Sequence, residues 1–337
     1  MKKLLVACVA LLLCSSHDLF LKLDTYYLPA QRLTTIHLLN GTYAASENVI
    51  ARDRMLDVSL VGNGARTPID TSSWLEVDNS TVAAVKTGLP GTKVFGVSTR
   101  ARNIDLAADA FNGYLEHDGI LDELERRRST GELDRAATER YSKHVKTLFQ
   151  VGDRLTDDYA TALDYPIEFI PLSNPYAAAI GDKMTVRLLR DGQPLPDQLV
   201  YLGLDTGGHA HDHATGEEHD HTADVQQFRT DAAGEFTFSL TEPAVYYLRT
   251  VHLVPVTEAG LTHESNWATL TFAAGNYHGT VSAHAHADGH THNHADGESH
   301  EHHHEHEAGE LPGWAYWLVS LLLITGLFFY FRRTERA

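Results

Sequence analysis

The sequence predicts a mainly β protein: two antiparallel β-sandwich domains, immunoglobulin-like or prealbumin-like, with an inserted α-hairpin and one C-terminal transmembrane helix. Three observations carry that expectation. Short apolar or alternating runs broken by turn residues recur before residue 108 and again after residue 165. A three- and four-residue apolar spacing fills the interval between them. An uncharged run, Trp314 to Phe331, stands directly before Arg332, Arg333 and Arg336.

In the first sandwich (17–108) the runs are Arg32 to Leu39, Met55 to Val61, Ser80 to Lys86 and Val94 to Thr99, separated by Asn40-Gly41, Gly62-Asn63-Gly64 and Pro90-Gly91. Strands of this length between such turns indicate antiparallel pairing. Residues 109–164 change period. Phe111, Tyr114, Leu115, Leu121 and Leu124, then Ala137, Tyr141, Val145 and Leu148, recur at helical steps on either side of Gly131, which predicts an α-hairpin. Strand character returns in the second sandwich (165–275) with Ile167 to Ile170, Lys183 to Leu189, Leu199 to Leu204, Glu235 to Leu240, Tyr246 to Leu253 and Ala268 to Phe272. Residues 276–311 are poor in apolar side chains and rich in His, Glu, Asp, Ala and Gly, the composition of a disordered tether.

The two ends set the expected compartment. Residues 1–16 open with Lys2 and Lys3, run apolar from Leu4 to Leu13 and finish in small residues, the pattern of a secretory signal peptide. At 1.5 Å per residue, Trp314 to Phe331 spans about 27 Å, enough to cross a bilayer within the 312–331 segment. Its flanking aromatic residues suit the two interfaces, and the arginines hold the 332–337 tail in the cytoplasm. The expected location is the cytoplasmic (inner) membrane, single-pass, with the bulk of the chain in the periplasm or outside the cell.

The 337 residues carry 27 basic and 45 acidic side chains, a formal charge of −18, with 22 histidines and two cysteines, Cys8 and Cys14. Acidity of this size argues against nucleic acid, whose phosphates need Lys and Arg to displace their counterions. Removal of the signal would take both cysteines with it and leave no thiol for a disulfide, a zinc ribbon or nucleophilic work.

Several stretches share one resemblance. They are His17-Asp18-Leu19-Phe20-Leu21-Lys22-Leu23, Asn40-Gly41-Thr42-Tyr43 with Ser46-Glu47-Asn48, Arg52-Asp53-Arg54-Met55, Tyr114-Leu115, Glu139-Arg140-Tyr141 and Ile167 to Pro175. Gly192-Gln193-Pro194-Leu195, Arg249-Thr250-Val251-His252 and Trp267 to Phe272 extend it over nearly the whole ectodomain. Together these segments resemble uncharacterised extracytoplasmic β-sandwich proteins related to the periplasmic component of nickel and cobalt uptake transport systems. The resemblance implies a sandwich fold, nickel or cobalt as cargo and a membrane metal transporter as partner.

The candidate chemistry lies in histidine. Five residues, His209, His211, His213, His219 and His221, fall in one loop of the second sandwich. Ten more, His284, His286, His290, His292, His294, His300, His302, His303, His304 and His306, fall in the tether, and carboxylates are interleaved in both tracts. Imidazole suits divalent transition metals, nickel or cobalt and equally zinc or copper, and neighbouring carboxylates favour a dication. A flexible chain binds such ions loosely, because ordering it costs roughly 1–2 kcal/mol per residue. The HExxH string at His300, Glu301 and His304 lacks the apolar helix that a metalloprotease needs around it.

A second candidate is the mature N-terminus. Cleavage after Ser16 would give His17 an α-amine and a ring nitrogen for one metal, and cleavage after Cys14 would place it third behind Ser15 and Ser16; both arrangements suit a tetragonal ion. His252 is the preferred partner over His37, His117, His144 and His263, since Tyr246, Leu248, Thr250 and His252 alternate onto one face of a strand. No GxSxG, GxxxxGK or cysteine constellation points to an enzyme. The expectation is a non-enzymatic, membrane-anchored protein that sequesters metal ions or delivers them to a transporter. Two alternatives are a copper enzyme using His17 and a structural or adhesive surface module.

Overall fold

The computed structural model describes residues 18–77, 79–207 and 225–275. The signal peptide, His17, both histidine-rich tracts and the C-terminal apolar run lie outside the described residues. In chain order the elements are β1 (Asp18–Leu23), β2 (Tyr27–Leu28), β3 (Leu33–Gly41), β4 (Met55–Gly62), β5 (Ala65–Pro68), β6 (Leu75–Val77), β7 (Ser80–Lys86), β8 (Gly91–Thr99) and β9 (Arg102–Leu106). Two helices follow, α1 (Ala108–His117) and α2 (Leu121–Thr130). The rest is β10 (Ala137–Val151), β11 (Ile167–Pro171), β12 (Lys183–Arg190), β13 (Gln193–Pro194), β14 (Leu199–Asp205), β15 (Gln226–Arg229), β16 (Glu235–Ser239), β17 (Ala244–Pro255) and β18 (His263–Ala274). The protein is mainly β. Among the described residues no helix is long and apolar enough to cross a membrane.

Three sheets form the fold. A ten-stranded sheet runs β15-β14-β17-β18-β10-β8-β4-β5, with β2 and β9 also paired to β10. One four-stranded sheet, β1-β3-β7-β6, covers one of its faces; another, built from β11, β12, β13 and β16, covers the other. Strand alternation explains how one sheet serves two cores. From β10, Val145 and Phe149 join the core under β1, β3 and β7, while Leu148 joins the core under β11, β12 and β16. Likewise Val245 of β17 enters the first core, and Tyr246 and Leu248 enter the second. A third cluster sits beside the first: Phe111, Tyr114, Leu115, Ile120 and Leu124 of the helices pack on Val251, Leu253 and Trp267.

Most expected strands appear within a few residues of their predicted ends; Ser80–Lys86 is reproduced residue for residue. The α-hairpin is a correction. Only its first half is helical, and α2 ends at Gly131 in a left-handed conformation (φ 69°), whose N–H is capped by the Arg128 carbonyl. The second half, where Ala137, Tyr141, Val145 and Leu148 suggested a helix, is the 15-residue strand β10. A spacing of four is a multiple of two, so Ala137, Tyr141 and Val145 share a strand face as readily as a helix face. The deciding feature is burial on both faces, which suits the Thr, Tyr, Val and Phe content of this run. His263 is the first residue of β18, where it is buried.

The turn between the helices depends on a close approach. Gly119 has φ +70°, and a Cβ there would lie 2.1 Å from the Tyr201 hydroxyl oxygen, which donates to the Gly119 carbonyl at 2.7 Å.

Burying β10 on both faces also buries its charges. Lys146 Nζ lies 3.0 Å from Glu168 Oε2, with side chains only 1% and 2% exposed, and Glu168 accepts further bonds from the backbone N–H groups of Leu163 (2.9 Å) and Tyr165 (3.3 Å). The pair ties the central sheet to β11. Lys146→Met should cost about 3–5 kcal/mol, because it strands a carboxylate in the interior, and urea denaturation of the two proteins measures it. A loss below about 1 kcal/mol would mean that Glu168 is held by its backbone donors alone.

Candidate functional site

His252 lies on β17, half-buried, on the face it shares with Thr250, as the alternation predicted. Its Nδ1 is 2.9 Å from Gln198 Oε1, and Gln198 is itself fixed by donation to Thr250 Oγ1 at 2.9 Å and the Val251 carbonyl at 3.1 Å. Burial, with Arg190 adding to it, moves the His252 ring below its ordinary pKa and keeps it neutral. His17 lies outside the described residues. Its neighbour Asp18 starts β1 and sits 3.4 Å from Arg249 Nη1. Arg249 and His252 are three residues apart on one strand, so they project from opposite faces of the sheet.

The other described histidines are occupied by protein partners. His144 is 2% exposed; Ser98 Oγ lies 2.9 Å from Nδ1, and Ser142 Oγ lies 3.0 Å from Nε2. Ser142 passes its own hydrogen to Asn266 Oδ1 at 3.1 Å. With Ser98 and Ser142 themselves only 2% and 8% exposed, this Ser-His-Ser arrangement is closed to a substrate. His263 bonds Glu123 at 3.0 Å, His117 approaches Asp118 at 3.3 Å, and His37 lies 3.8 Å from Asp24. Among the described residues no group of three or more His, Cys, Asp or Glu side chains is placed to hold a metal ion.

The roots of the two histidine-rich tracts are described, and they share one end of the central sheet. β14 ends at Asp205 and the chain returns as β15, with Leu202 paired to Gln226, so His209 to His221 fall in sequence between these two paired strands, outside the described residues. β18 ends at Ala274, and the tether begins just beyond Gly275. Asp205 pairs with Val245, and Val245 pairs with Ala273. The two roots are therefore separated by one strand, about 10 Å. Each is anchored. Lys22 Nζ bonds Asp205 Oδ2 at 3.0 Å, Asp205 Oδ1 accepts from Gly207 N–H at 2.9 Å, and the Tyr27 hydroxyl donates to the Gly275 carbonyl at 2.7 Å. His252 stands seven residues along β17 from Val245, about 23 Å from this end.

The sequence did not reveal a polar cluster beneath the helices. Glu139 is 2% exposed and accepts from Tyr114 at 3.2 Å and, over a very short bond, from Ser265, which in turn accepts from the Trp267 indole at 3.1 Å. Lys143 Nζ lies 4.9 Å from the centre of the Trp267 ring. Burial pushes Lys143 down to about 8, Asp118 up to about 6 and Glu139 above its ordinary value. A helical reading of 137–148 assigns such charges to a solvated face, and only the strand assignment brings them inside.

The class of protein is thus a mainly β, multi-sheet fold with a short helical hairpin. Residues 15–254 match the family model described as a domain of unknown function, DUF4198, and the chain belongs to that family. A search of curated proteins finds no match. Among solved structures, the D0-D1 domain of intimin is 11% identical, with 76% of this chain and 97% of that one covered, at a TM-score of 0.16. Salmonella alpha-2-macroglobulin reacted with methylamine is 10% identical, with 76% and 15% covered, at 0.19. The three N-terminal domains of the bacteriophage RB49 outer capsid protein Hoc are 8% identical, with 77% and 70% covered, at 0.17. TM-scores of this size carry no equivalence of function.

His144 makes stability pH-dependent. Burial depresses its pKa from 6.5 to about 4, so its contribution is fully present above 6.5 and is lost as pH falls through about 4. The loss should reach about 3 kcal/mol across that window. His144→Gln should flatten this part of the curve in urea melts run at a series of pH values; an unchanged slope would assign acid sensitivity to other groups.

Proposed function

We propose that the chain is a membrane-anchored extracytoplasmic protein that collects divalent transition metal ions through its two histidine-rich tracts and stores them or passes them to a transport system. The carrying observation is the sequence itself, five histidines in 209–221 and ten in 284–306, each set interleaved with carboxylates; the described residues that precede the two tracts, Asp205 and Ala274, lie at one end of the central sheet. Each tract by itself interleaves imidazole with carboxylate, which raises the effective ligand concentration around an ion without a preformed cage. The resemblance to proteins associated with nickel and cobalt uptake favours those two metals, with zinc or copper as further cargo. On this reading Trp314 to Phe331 is the membrane anchor, and the two sandwiches form a rigid base for the ligand-bearing segments.

Calorimetric titration of the full chain with Ni(II), Co(II), Zn(II) and Cu(II) tests the reading. Several equivalents should bind, and most should disappear when 209–221 and 284–306 are deleted, whereas His252→Ala should leave the stoichiometry intact. Unchanged stoichiometry after the double deletion would sink the proposal.

A further inference from the structure

Four of the described loops adjoin at the end of the central sheet where the chain leaves at Gly275. Residues 29–33 and 87–90 are joined by Gln31 N–H to the Gly88 carbonyl at 2.9 Å and by Thr87 N–H to the Arg32 carbonyl at 2.8 Å. The loop after β10 follows: Gly152 N–H donates to the Leu28 carbonyl at 2.9 Å, and a Cβ on Gly152 would lie 3.3 Å from Pro90 Cβ. Residues 174–182 are fastened to that loop by Asn174 Nδ2, which donates to the Thr156 carbonyl at 3.2 Å. A Cβ on Gly275 would in turn lie 3.1 Å from Ile180 Cδ1.

These loops hold large apolar side chains that none of the cores uses. Leu33 is 75% exposed, Leu89 61%, Leu155 47% and Ile180 39%. A single exposed leucine needs no explanation, but four such side chains on adjoining loops form a set. Beside them Arg32, Lys86 and Arg154 are exposed, and among the described residues none of the three is in an ion pair, in contrast to Arg66, Arg126 and Arg140. Asp153 and Asp182 stand on the same loops, so this end is amphipathic without a strong net charge.

We propose that this end of the central sheet is a lipid-docking face: its leucine and isoleucine tips enter the headgroup–acyl boundary of a phospholipid bilayer, and Arg32, Lys86 and Arg154 reach the phosphates. With Trp314 to Phe331 read as the membrane anchor, on which this docking rests, the occupant follows from where the chain goes. The described residues stop at Gly275 on this same end, the Tyr27 hydroxyl holds its carbonyl at 2.7 Å, and the uncharged run begins at Trp314. A domain tethered to a bilayer meets it at high effective concentration, so side chains of weak individual affinity suffice. Leu56 has no such relation to the anchor. It is 57% exposed at the start of β4, beside Ser98 and Thr99, about 26 Å along β8 from Gly91.

The full chain carrying Cys8→Ser and Cys14→Ser, reconstituted into phosphatidylcholine vesicles, tests the docking face. A single cysteine, Leu89→Cys, Leu155→Cys or Leu56→Cys, is labelled with a fluorophore and quenched by lipid that bears a nitroxide just below the headgroup. Positions 89 and 155 should be quenched about threefold more strongly than position 56, as side chains at the headgroup–acyl boundary. Equal quenching at the three positions, or stronger quenching at position 56, overturns the docking face. Flotation of the vesicles keeps the two readings apart. A chain that floats with unquenched tips retains the anchor and loses the docking face, whereas a chain that stays out of the vesicle fraction overturns both.

Discussion

β10 lies in the middle of the ten-stranded sheet, parallel to β18 on one side and antiparallel to β8 and β9 on the other. From Ser142 to Val151 both of its faces are also covered, and each side chain there must be apolar or partnered. That constraint organises the rest of the molecule. One face supplies Val145 and Phe149 to the core beneath the β1-β3-β7-β6 sheet; the other supplies Leu148 to the core beneath β11, β12 and β16. Two cores that share a strand cannot slide independently, since a one-residue slip of β10 would exchange every side chain between them.

The same constraint explains the interior charges. Lys146, Lys143, Glu139 and the neutral His144 are all buried, and each finds a partner on a different neighbouring segment: Glu168 on β11, Trp267 on β18, Tyr114 on α1 and Ser98 on β8. Buried ion pairs add little net stability over well-packed apolar residues, but they penalise any arrangement that separates the partners. One ion pair, two hydrogen bonds and one cation–π contact radiating from one strand give each surrounding layer its own test of correct placement.

Legibility in the sequence followed physical simplicity. Strands on outer layers have one wet face, so alternation between turn residues marked β7, β12 and β16 nearly to the residue. β10 has no wet face, and its apolar positions at intervals of four fit either period, so a helix was the expected form there. His252 was legible as a strand residue aligned with Thr250, yet its engagement by Gln198 depends on a residue 54 positions away in the chain and leaves no local mark. The polar cluster around Glu139 and Trp267 was hidden for the same reason. The histidine tracts were visible as composition, while the proximity of their roots follows from the pairing order β14-β17-β18, which only the fold supplies.

The described histidines and the tract histidines consequently have different chemistry available to them. A metal ligand needs an imidazole nitrogen with a lone pair directed at open space. His144 and His263 have protein atoms on both nitrogens, and His252 has one nitrogen held by Gln198 while an arginine nearby opposes added positive charge. Fifteen of the 22 histidines lie instead in the two tracts, interleaved in the sequence with carboxylates and beyond the described residues. The formal charge of −18 belongs to the same division: the folded layers bind many of their acids to Arg or Lys, as in Asp122–Arg229, Glu264–Arg140 and Asp57–Arg66, whereas residues 276–311 contain acids and no lysine or arginine at all. On the proposed reading, that uncompensated negative charge beside imidazole is what would draw cations from solution, and the fold's contribution is to hold the described roots of both segments at one end of the central sheet.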